Sequence, residues 1–252
     1  MAEIERSQRV RARPGRQQAD AAFAAVRRYG PTMAERVEGS SRLDSRQRWA
    51  RGLCRAMGRI EIAGLEHIPS TGPVLLAVNH QSFMDGALLI GFVGRVVSCV
   101  VKLEAFIPVG GRVGRVLVEG AQIPVLRGEV DPAPVRLSLD ILRAGGVLGV
   151  FPEGSRGDGQ VRLIRPGVGY FALKTGATVV PVAIHGSAAV THRAGVRRPT
   201  VRMVVGEPMA FDRMTELPLP RAQWRATAET IRVALADLVA DSATRHSARE
   251  AA

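Results

Sequence analysis

Short apolar runs separated by polar turns dominate the chain from residue 61 onward. Runs of this kind, bounded by Gly, Pro, Asn or charged residues, are typical of strands that are buried on both faces of a sheet. They read IEIAG, PVLLAVN, VVSCVV, AQIPVL, VLGVF, TVVPVAI and TVRMVVG. Stretches of helical length lie between several of them. The alternation predicts βαβ units, and so an α/β fold with a mostly parallel central sheet flanked by helices.

The stretches between the strands carry helix signals. The segment 132–144 begins with Pro132, which is tolerated in a first helical turn, and stops at Gly145 and Gly146. Helices are expected over MDGALLIGFV, GRVGRVLVE, 132–144, GVGYFALKTG and 220–242.

Two segments precede this pattern. Residues 1–41 are rich in Arg, Ala, Gly and Gln, and we expect a mobile segment with a short helix near 18–29. Residues 42–60 predict a basic amphipathic helix. Its apolar arc holds Trp49, Leu53, Ala56, Met57 and Ile60, and its basic arc holds Arg48, Arg51, Arg55 and Arg59. This helix either lies in a membrane interface or packs on the domain formed by 61–252.

Composition indicates one domain with a basic surface. The 252 residues suffice for a single domain with a substantial core, and the net charge is +12. Of the 35 basic residues, all but Lys102 and Lys174 are arginine. A basic surface favours nucleic acid, an anionic membrane or phosphorylated small molecules. An aromatic fraction of 4%, with no helix-turn-helix or zinc pattern, disfavours nucleic acid.

Cysteine usage and hydropathy indicate the compartment. Cys54 and Cys99 have neither metal-ligand spacing nor a disulfide framework, which favours a reducing, cytoplasmic setting. The N-terminus lacks the apolar stretch of a secretory signal. The apolar run at 86–101 contains Arg95 and three glycines, so it is too short and too interrupted for a transmembrane helix.

Three polar clusters follow predicted strands at their carboxyl ends. They are NHQSFMDG at 79–86, LRG at 126–128 and FPEGSRG at 151–157. Ligands in such folds bind at the carboxyl ends of the parallel strands. The sequence therefore predicts one site to which all three clusters contribute.

The first cluster offers His80 and Asp85 as a pair. Asp85 falls in the first turn of the following helix, where it can hold one imidazole nitrogen and raise the basicity of the other. Alternatively, His80 caps the helix and Asp85 only stabilises its N-terminus. Ser82 invites a nucleophilic triad, but no G-x-S-x-G elbow surrounds it, so we interpret it as a turn or cap residue. His185 is expected to be a structural residue at a strand end.

The other clusters offer groups for an anion. Gly154 permits a sharp turn whose N–H groups can cradle an anion, and Arg156 can add a bidentate donor to a phosphate. Arg127 and Lys102 are further candidates at the same edge of the sheet. Glu153 needs a partner beside an apolar strand, and Arg127 or Arg156 is expected to supply it.

Taken together, these segments resemble the glycerophospholipid acyltransferase family, whose best-known members acylate 1-acyl-glycerol-3-phosphate (lysophosphatidate). GLEHIPSTGPVLLAVNHQSFMDG resembles the first family block, with its N-H-x-S-x-x-D core. VKLEAFIPVGGRVGRVLVEGAQIPVLRG resembles the segment that leads through the second block, FPEGSRG resembles the third and VVPVAI the fourth. The similarity runs from about residue 62 to about residue 208.

The resemblance implies an O-acyltransferase. His80 would be the base that activates the acceptor hydroxyl, and Asp85 would orient it. The hydroxyl would attack the thioester of acyl-CoA or acyl carrier protein directly, with no acyl-enzyme, metal or bound cofactor. The residues that would bind the acceptor's phosphate are Arg127, Glu153, Gly154 and Arg156, with Lys102 as a further candidate.

The resemblance also implies partners and location. Because such acceptors and products reside in membranes, we expect a peripheral protein on the inner face of the cell membrane, bound to anionic lipid by 42–60. The second block ends PVLR where many members carry an aromatic and an acidic residue before the Arg, and Ser155 replaces the commoner Thr. The acceptor therefore stays open. Alternatives are a phosphoinositol mannoside or another glycolipid, and a non-catalytic lipid-binding relative.

Overall fold

The computed structural model describes residues 21–22, 24, 41–106, 117, 120–126, 131–192, 198–215 and 218–250. Within them, seven strands form one sheet in the order β1-β7-β6-β2-β5-β3-β4. The strands are β1 (Arg59–Ala63), β2 (Val74–Val78), β3 (Val97–Lys102), β4 (Ile123–Val125), β5 (Val147–Val150), β6 (Thr178–His185) and β7 (Thr200–Val205).

Five of the seven strands, β2 to β6, run parallel to one another. β2 pairs in parallel with β5 and β6, and β3 pairs in parallel with β5 and β4. β7 is antiparallel to β6, and β1 is parallel to β7. The prediction of a mostly parallel sheet is confirmed. β2 lies at its centre with all five residues buried, which explains why its sequence is an unbroken apolar run rather than an alternation.

Helices cover both faces of the sheet. They are α1 (Ser41–Met57), α2 (Met84–Phe92), α3 (Ala133–Arg143), α4 (Gly167–Thr175), α5 (Ala189–His192) and α6 (Arg221–Glu250). Leu75 of β2 packs in one core with residues of α3, α4 and α6. Leu76, the next residue, packs in a second core with residues of α1 and α2. The central strand therefore contributes alternate side chains to two separate cores.

Two helix boundaries differ from the prediction. α1 ends at Met57 rather than at residue 60, because Arg59 and Ile60 pair with β7 as the start of β1. α6 continues to Glu250 rather than stopping at 242, since 243–250 contains neither Gly nor Pro to end it.

Two other expected helices fall largely outside the described residues. Of the helix expected near 18–29, residues 21, 22 and 24 are described and are helical, and Ala22 packs against Leu103 and Leu126. Of the helix expected over 111–119, only Leu117 is described, and it is helical. The remainder of the predicted mobile segment 1–41 also lies outside the described residues, apart from Ser41 at the start of α1.

The basic helix α1 packs on the domain through one side only. Ala50 and Cys54 are buried against α2, and the Arg51 guanidinium donates to the Gly91 carbonyl. Trp49, predicted to share the apolar arc, is instead 62% exposed. The packing face is therefore rotated away from the predicted arc, which leaves an indole among arginines in solvent. Among the residues that the structure describes, no helix is both long and apolar enough to cross a membrane.

A buried arginine ties together the amino-terminal edge of the sheet. The Arg95 guanidinium donates to the carbonyl oxygens of Pro69 at 3.1 Å, Gly72 at 2.9 Å and Gly145 at 2.6 Å. Gly145 follows the end of α3, where the helix dipole favours a positive charge. Arg95, which interrupts the apolar run at 86–101, thereby fixes the loops that feed β2 and β5 into the sheet.

Replacing Arg95 with Ala should lower the free energy of unfolding by roughly 2–4 kcal/mol, because buried carbonyls lose a charged donor. Urea denaturation would measure the change. The matched control is Arg143→Ala on α3, whose exposed pair with Asp140 is worth little. A stability loss for Arg95→Ala no larger than that of the control would contradict this role.

Candidate active site

Asn79 fixes the carboxyl end of β2. Its side-chain Oδ1 accepts from the Ile184 N–H at 2.7 Å, and its Nδ2 donates to the Ile184 carbonyl at 2.9 Å. The same Nδ2 donates to the Gly159 carbonyl at 3.3 Å. The amide thus extends the pairing of β2 with β6 and sets the point from which His80 leaves the sheet.

His80 and Asp85 form the pair that the sequence analysis anticipated. His80 Nδ1 lies 2.9 Å from Asp85 Oδ2, and the Asp85 side chain is fully buried in the first turn of α2. The same oxygen accepts the N–H groups of Gln81 and Ser82, both at 2.8 Å. Oδ2 already accepts these two backbone N–H groups, so it is an acceptor toward His80 as well. Nδ1 therefore carries the ring proton, and Nε2 is the nitrogen with the free lone pair.

The His80 ring is held from a second direction. It stacks on the Phe151 ring with centroids 4.1 Å apart and planes 25° from parallel. The side chain keeps 18% of its surface exposed, and within the described residues Nε2 has no hydrogen-bond partner. Packing and the Asp85 bond thus fix the ring while its basic nitrogen stays accessible, as a general base requires.

The loop after β5 is bonded directly to the His80 segment. Glu153 Oε2 accepts the His80 N–H at 2.7 Å, and the Gly157 N–H donates to the His80 carbonyl at 2.9 Å. Gln81 Nε2 donates to the Asp158 carbonyl at 3.2 Å. At Gly159, with φ of 76°, a Cβ would lie only 2.6 Å from Gln81 Nε2. The two loops therefore form one unit. The third predicted cluster, at 126–128, is described only at Leu126.

Glu153 has different partners from the expected guanidinium. It accepts the backbone N–H groups of His80 and Val161, and burial raises its pKa above the usual value. Val161 is fully buried and has φ of 52°, a strained conformation for a β-branched residue. Within the described residues, the expected pairing of Glu153 with Arg156 is not formed, and the carboxylate is bonded to backbone N–H groups instead. Arg127, the other expected partner, lies outside those residues.

Two guanidinium groups flank the Gly154 turn. Arg156 is exposed two residues beyond it, and Arg165 folds back over it. Gly154 has φ of 76°, and a Cβ there would collide with Arg165 Nε and lie 3.3 Å from its Cζ. Only glycine therefore allows both this backbone and this position of the Arg165 side chain.

Lys102, a further candidate cation, lies apart from this unit. Lys102 is exposed at the end of β3, two strands away from β2, which corresponds to about 10 Å at the normal strand spacing. It shares the edge of the sheet but does not belong to the bonded loops. Arg127 lies outside the described residues.

Other nucleophiles and metal ligands have structural positions. Ser82 Oγ accepts the Met84 N–H at 3.3 Å, and His185 Nε2 bonds Ser242 Oγ at 2.7 Å, in line with the structural roles expected for both. Burial raises the pKa of Cys54 to about 11 and that of Cys99 to about 12, so neither supplies thiolate near neutral pH. Within the described part of the chain, no three His, Cys, Asp or Glu side chains are grouped to hold a metal ion.

Sequence reasoning missed Phe151, Gly157, Gly159 and Arg165. Phe151 and Gly157 lie within FPEGSRG, but nothing in that motif shows that they touch a residue about seventy positions earlier. The pairing follows from the placement of β5 beside β2, which the sequence alone did not give. Arg165 lies beyond the motif, and no local pattern separates it from the many other arginines.

Replacing Glu153 with Gln should leave a folded protein, because the amide oxygen still accepts the two N–H groups. The raised pKa means that protonated Glu153 is favoured by folding. The protonated side chain of Glu153 therefore contributes to the free energy of unfolding below its unfolded pKa of 4.5. This contribution is lost as the pH rises through the higher pKa of Glu153 in the folded protein. The stability of Glu153→Gln relative to wild type should therefore increase from pH 4.5 to pH 7, as measured by urea denaturation. A relative gain on acidification would contradict it.

Comparisons with known proteins identify related sequences. The chain is 30% identical over 161 residues to the chloroplastic 1-acyl-sn-glycerol-3-phosphate acyltransferase of Arabidopsis thaliana, covering 60% of this chain and 44% of that protein. It is 24% identical over 162 residues to the 1-acyl-sn-glycerol-3-phosphate acyltransferase of Bacillus subtilis, covering 64% and 79% respectively. The chain thus spans less than half the length of its plant relative.

A solved structure and a family model extend the comparison. The crystal structure of the 1-acyl-sn-glycerophosphate acyltransferase PlsC from Thermotoga maritima has a TM-score of 0.60 and 23% identity, covering 78% of this chain and 79% of that one, which shows a shared fold. The Acyltransferase family model matches residues 59–185, about half of the chain. That range contains His80, Asp85 and the loop bonded to them, and the chain belongs to the Acyltransferase family.

Proposed function

We propose that this protein transfers a fatty acyl chain from a thioester to a hydroxyl of lysophosphatidate or a similar phosphate-bearing lipid, in phospholipid biosynthesis. The observation that carries the proposal is the bonded unit at the sheet edge. It holds a carboxylate-oriented imidazole, with Nε2 accessible, against a loop that bears two guanidinium groups. Relatives named as 1-acyl-sn-glycerol-3-phosphate acyltransferases support the choice of acceptor.

In the proposed reaction His80 is the general base. Its Nε2 takes the proton of the acceptor hydroxyl while the oxygen attacks the thioester carbonyl carbon. The C–S bond then breaks, and the leaving thiolate recovers the proton from the imidazolium. Asp85 stabilises that imidazolium through Nδ1–H and keeps the ring in the required tautomer. The products are an ester and a free thiol, and no acyl-enzyme forms.

The two ends of the acceptor need different surroundings. Arg156 supplies a guanidinium for the phosphate, next to the loop that holds His80. Phe83, at the start of α2, is 50% exposed and offers an apolar contact to an acyl chain near the base. Arg127, Lys102 and the turn at Glu153 and Gly154 belong to the same proposed phosphate region. The thioester, of CoA or of acyl carrier protein, is a co-substrate, and we propose no bound cofactor.

We further propose that the protein acts at the inner face of the cell membrane, bound to anionic lipid through the outer side of α1. The packing of Ala50 and Cys54 against α2 leaves Trp49 and the adjacent Arg48 exposed, while Arg55, also exposed, lies over the Phe92 ring. An indole with flanking arginines suits a membrane interface, where the ring sits among headgroups and the charges meet anionic lipid. Such binding is reversible because few groups contribute to it.

Replacing His80 with Ala should lower kcat for lysophosphatidate acylation by roughly 10²–10⁴ and leave the fold intact, because only general-base assistance is lost. Asp85→Asn should also lower kcat, since the amide cannot hold the same tautomer reliably. Product formation with a labelled acyl-CoA or acyl carrier protein, followed by mass spectrometry, would measure both.

Ser82→Ala is the matched control, because the hydroxyl only caps a turn and the backbone N–H to Asp85 remains. It should keep near-normal kcat. Near-normal turnover by a folded His80→Ala protein would overturn the mechanism, and loss of activity in Ser82→Ala would point to an acyl-serine. A panel of phosphorylated and glycosylated lipid acceptors would identify the preferred one.

Trp49→Ala and Arg48→Ala should each weaken binding to vesicles that contain an anionic lipid. Loss of one arginine, at about 1 kcal/mol, corresponds to roughly a fivefold weaker partition. Sedimentation with phosphatidylglycerol-containing and pure phosphatidylcholine vesicles would measure it. Arg225→Ala on α6 is the control. Equal binding by all these proteins, or binding that ignores lipid charge, would exclude this surface.

A further inference from the structure

Arg165 occupies a special place beside the candidate active site. Its backbone N–H donates to the Pro152 carbonyl at 2.7 Å, which sets the residue next to the end of β5. From there the side chain folds back over Gly154, whose missing side chain leaves the space that the guanidinium fills. Arg165 is nevertheless exposed, so this position is not explained by burial of the charge.

The loop leaves two of its cations without counter-charges. Its acidic residues are Glu153 and Asp158. Glu153 receives backbone N–H groups, and Asp158 forms an ion pair with Arg162 at 3.0 Å. Within the described residues, neither Arg156 nor Arg165 has an ion-pair partner. Both arginines belong to the loop that carries the Gly154 turn, and an anion bound there would supply a counter-charge to them.

The same turn is fixed relative to the base. Glu153, just before Gly154, bonds the His80 N–H, and Gly157, just after Arg156, bonds the His80 carbonyl. An anion held over Gly154 would therefore lie at a set distance from the imidazole. A phosphate monoester carries close to two negative charges near neutral pH and accepts several charge-assisted bonds, which one guanidinium alone does not satisfy.

We propose that Arg165 is a second phosphate-binding residue, which holds the acceptor's phosphate together with Arg156 across the Gly154 turn. This deepens the proposed function and rests on it for the identity of the acceptor. The arrangement selects a dianionic monoester over an uncharged lipid alcohol, and it acts on acceptor binding rather than on the acyl donor.

The experiment compares Arg165→Ala, Arg165→Lys and Arg156→Ala with Arg162→Ala as the control from the same loop. Arg165→Ala should raise the KM for lysophosphatidate roughly 10- to 100-fold, as expected for loss of a charge-assisted bond. The KM for the acyl-CoA should stay unchanged, and kcat should change little. Arg165→Lys should recover part of the acceptor affinity, because the charge is retained. Arg162→Ala should leave the acceptor KM unaltered.

A second measurement requires no turnover. Calorimetric titration with sn-glycerol 3-phosphate should give a weaker Kd for Arg165→Ala than for wild type or Arg162→Ala, with melting temperatures showing that all variants are folded. A purely structural role for Arg165 would instead lower the melting temperature and alter donor and acceptor KM alike, and that result would overturn the inference.

The two readouts separate the inference from the function on which it rests. Wild-type protein that binds sn-glycerol 3-phosphate through Arg165 but never acylates lysophosphatidate would refute the proposed acceptor and retain the anion subsite. Acylation by wild type with an unchanged acceptor KM and an unchanged Kd in Arg165→Ala would refute the subsite and retain the function. Absence of any sn-glycerol 3-phosphate binding by wild type would also refute the subsite.

Discussion

The candidate site depends on two hydrogen bonds between the backbone of His80 and the loop after β5. The His80 N–H is bonded to Glu153 and its carbonyl to Gly157, so both polar groups of one residue are committed to the loop after β5. A backbone group removed from water needs a partner, and here the partner is a segment that carries candidate phosphate ligands. The same bonds that satisfy the strand end therefore also fix the distance between His80 and the proposed anion site. The two loops are therefore held together by direct hydrogen bonds and not only by lying in the same cleft.

The sheet order makes these hydrogen bonds possible. The chain leaves β2, forms β3 and β4 on one side, and returns to place β5 directly beside β2 before β6 is added on the other side. β2 is thereby flanked by β5 and β6, the two strands that come last in the chain among the parallel five. The crevice at its carboxyl end is where ligands bind in open α/β sheets, since helices on either side leave the strand ends accessible. The two cores on opposite faces hold the strands rigid, so the loops are displayed on a fixed frame.

The role of each arginine depends on its hydrogen-bond and ion-pair partners rather than on the total number of arginines. Arg95 is buried and bonded to carbonyl oxygens, and Arg162 is matched to Asp158. Arg156 and Arg165 remain at the turn beside the base. A net charge of +12 gave no means of distinguishing these roles, because they depend on which carbonyl or carboxylate lies within reach. The two arginines proposed to bind the ligand are ones that have no ion-pair partner among the described residues.

Much of the fold and part of the site could be predicted from the sequence. Unbroken apolar runs have to be buried on both faces, so a parallel sheet with helices on each side followed from hydrophobicity alone. The pairing of His80 with Asp85 is local, because five residues separate them and a helix start brings them together. The four blocks in order indicated the family, and the family model confirms it.

The tertiary structure decided the contacts between distant segments. The stacking of Phe151 on His80, the bonds of Glu153 to backbone rather than to arginine, and the return of Arg165 over Gly154 all require β5 to lie beside β2. The buried side of α1 likewise depends on the shape of α2, which accepts Ala50 and Cys54 and leaves Trp49 in solvent. Periodicity and motif spacing report which residues are neighbours along one element. They do not report strand order or loop packing, because these arise from contacts that are far apart in the chain and so leave no local pattern.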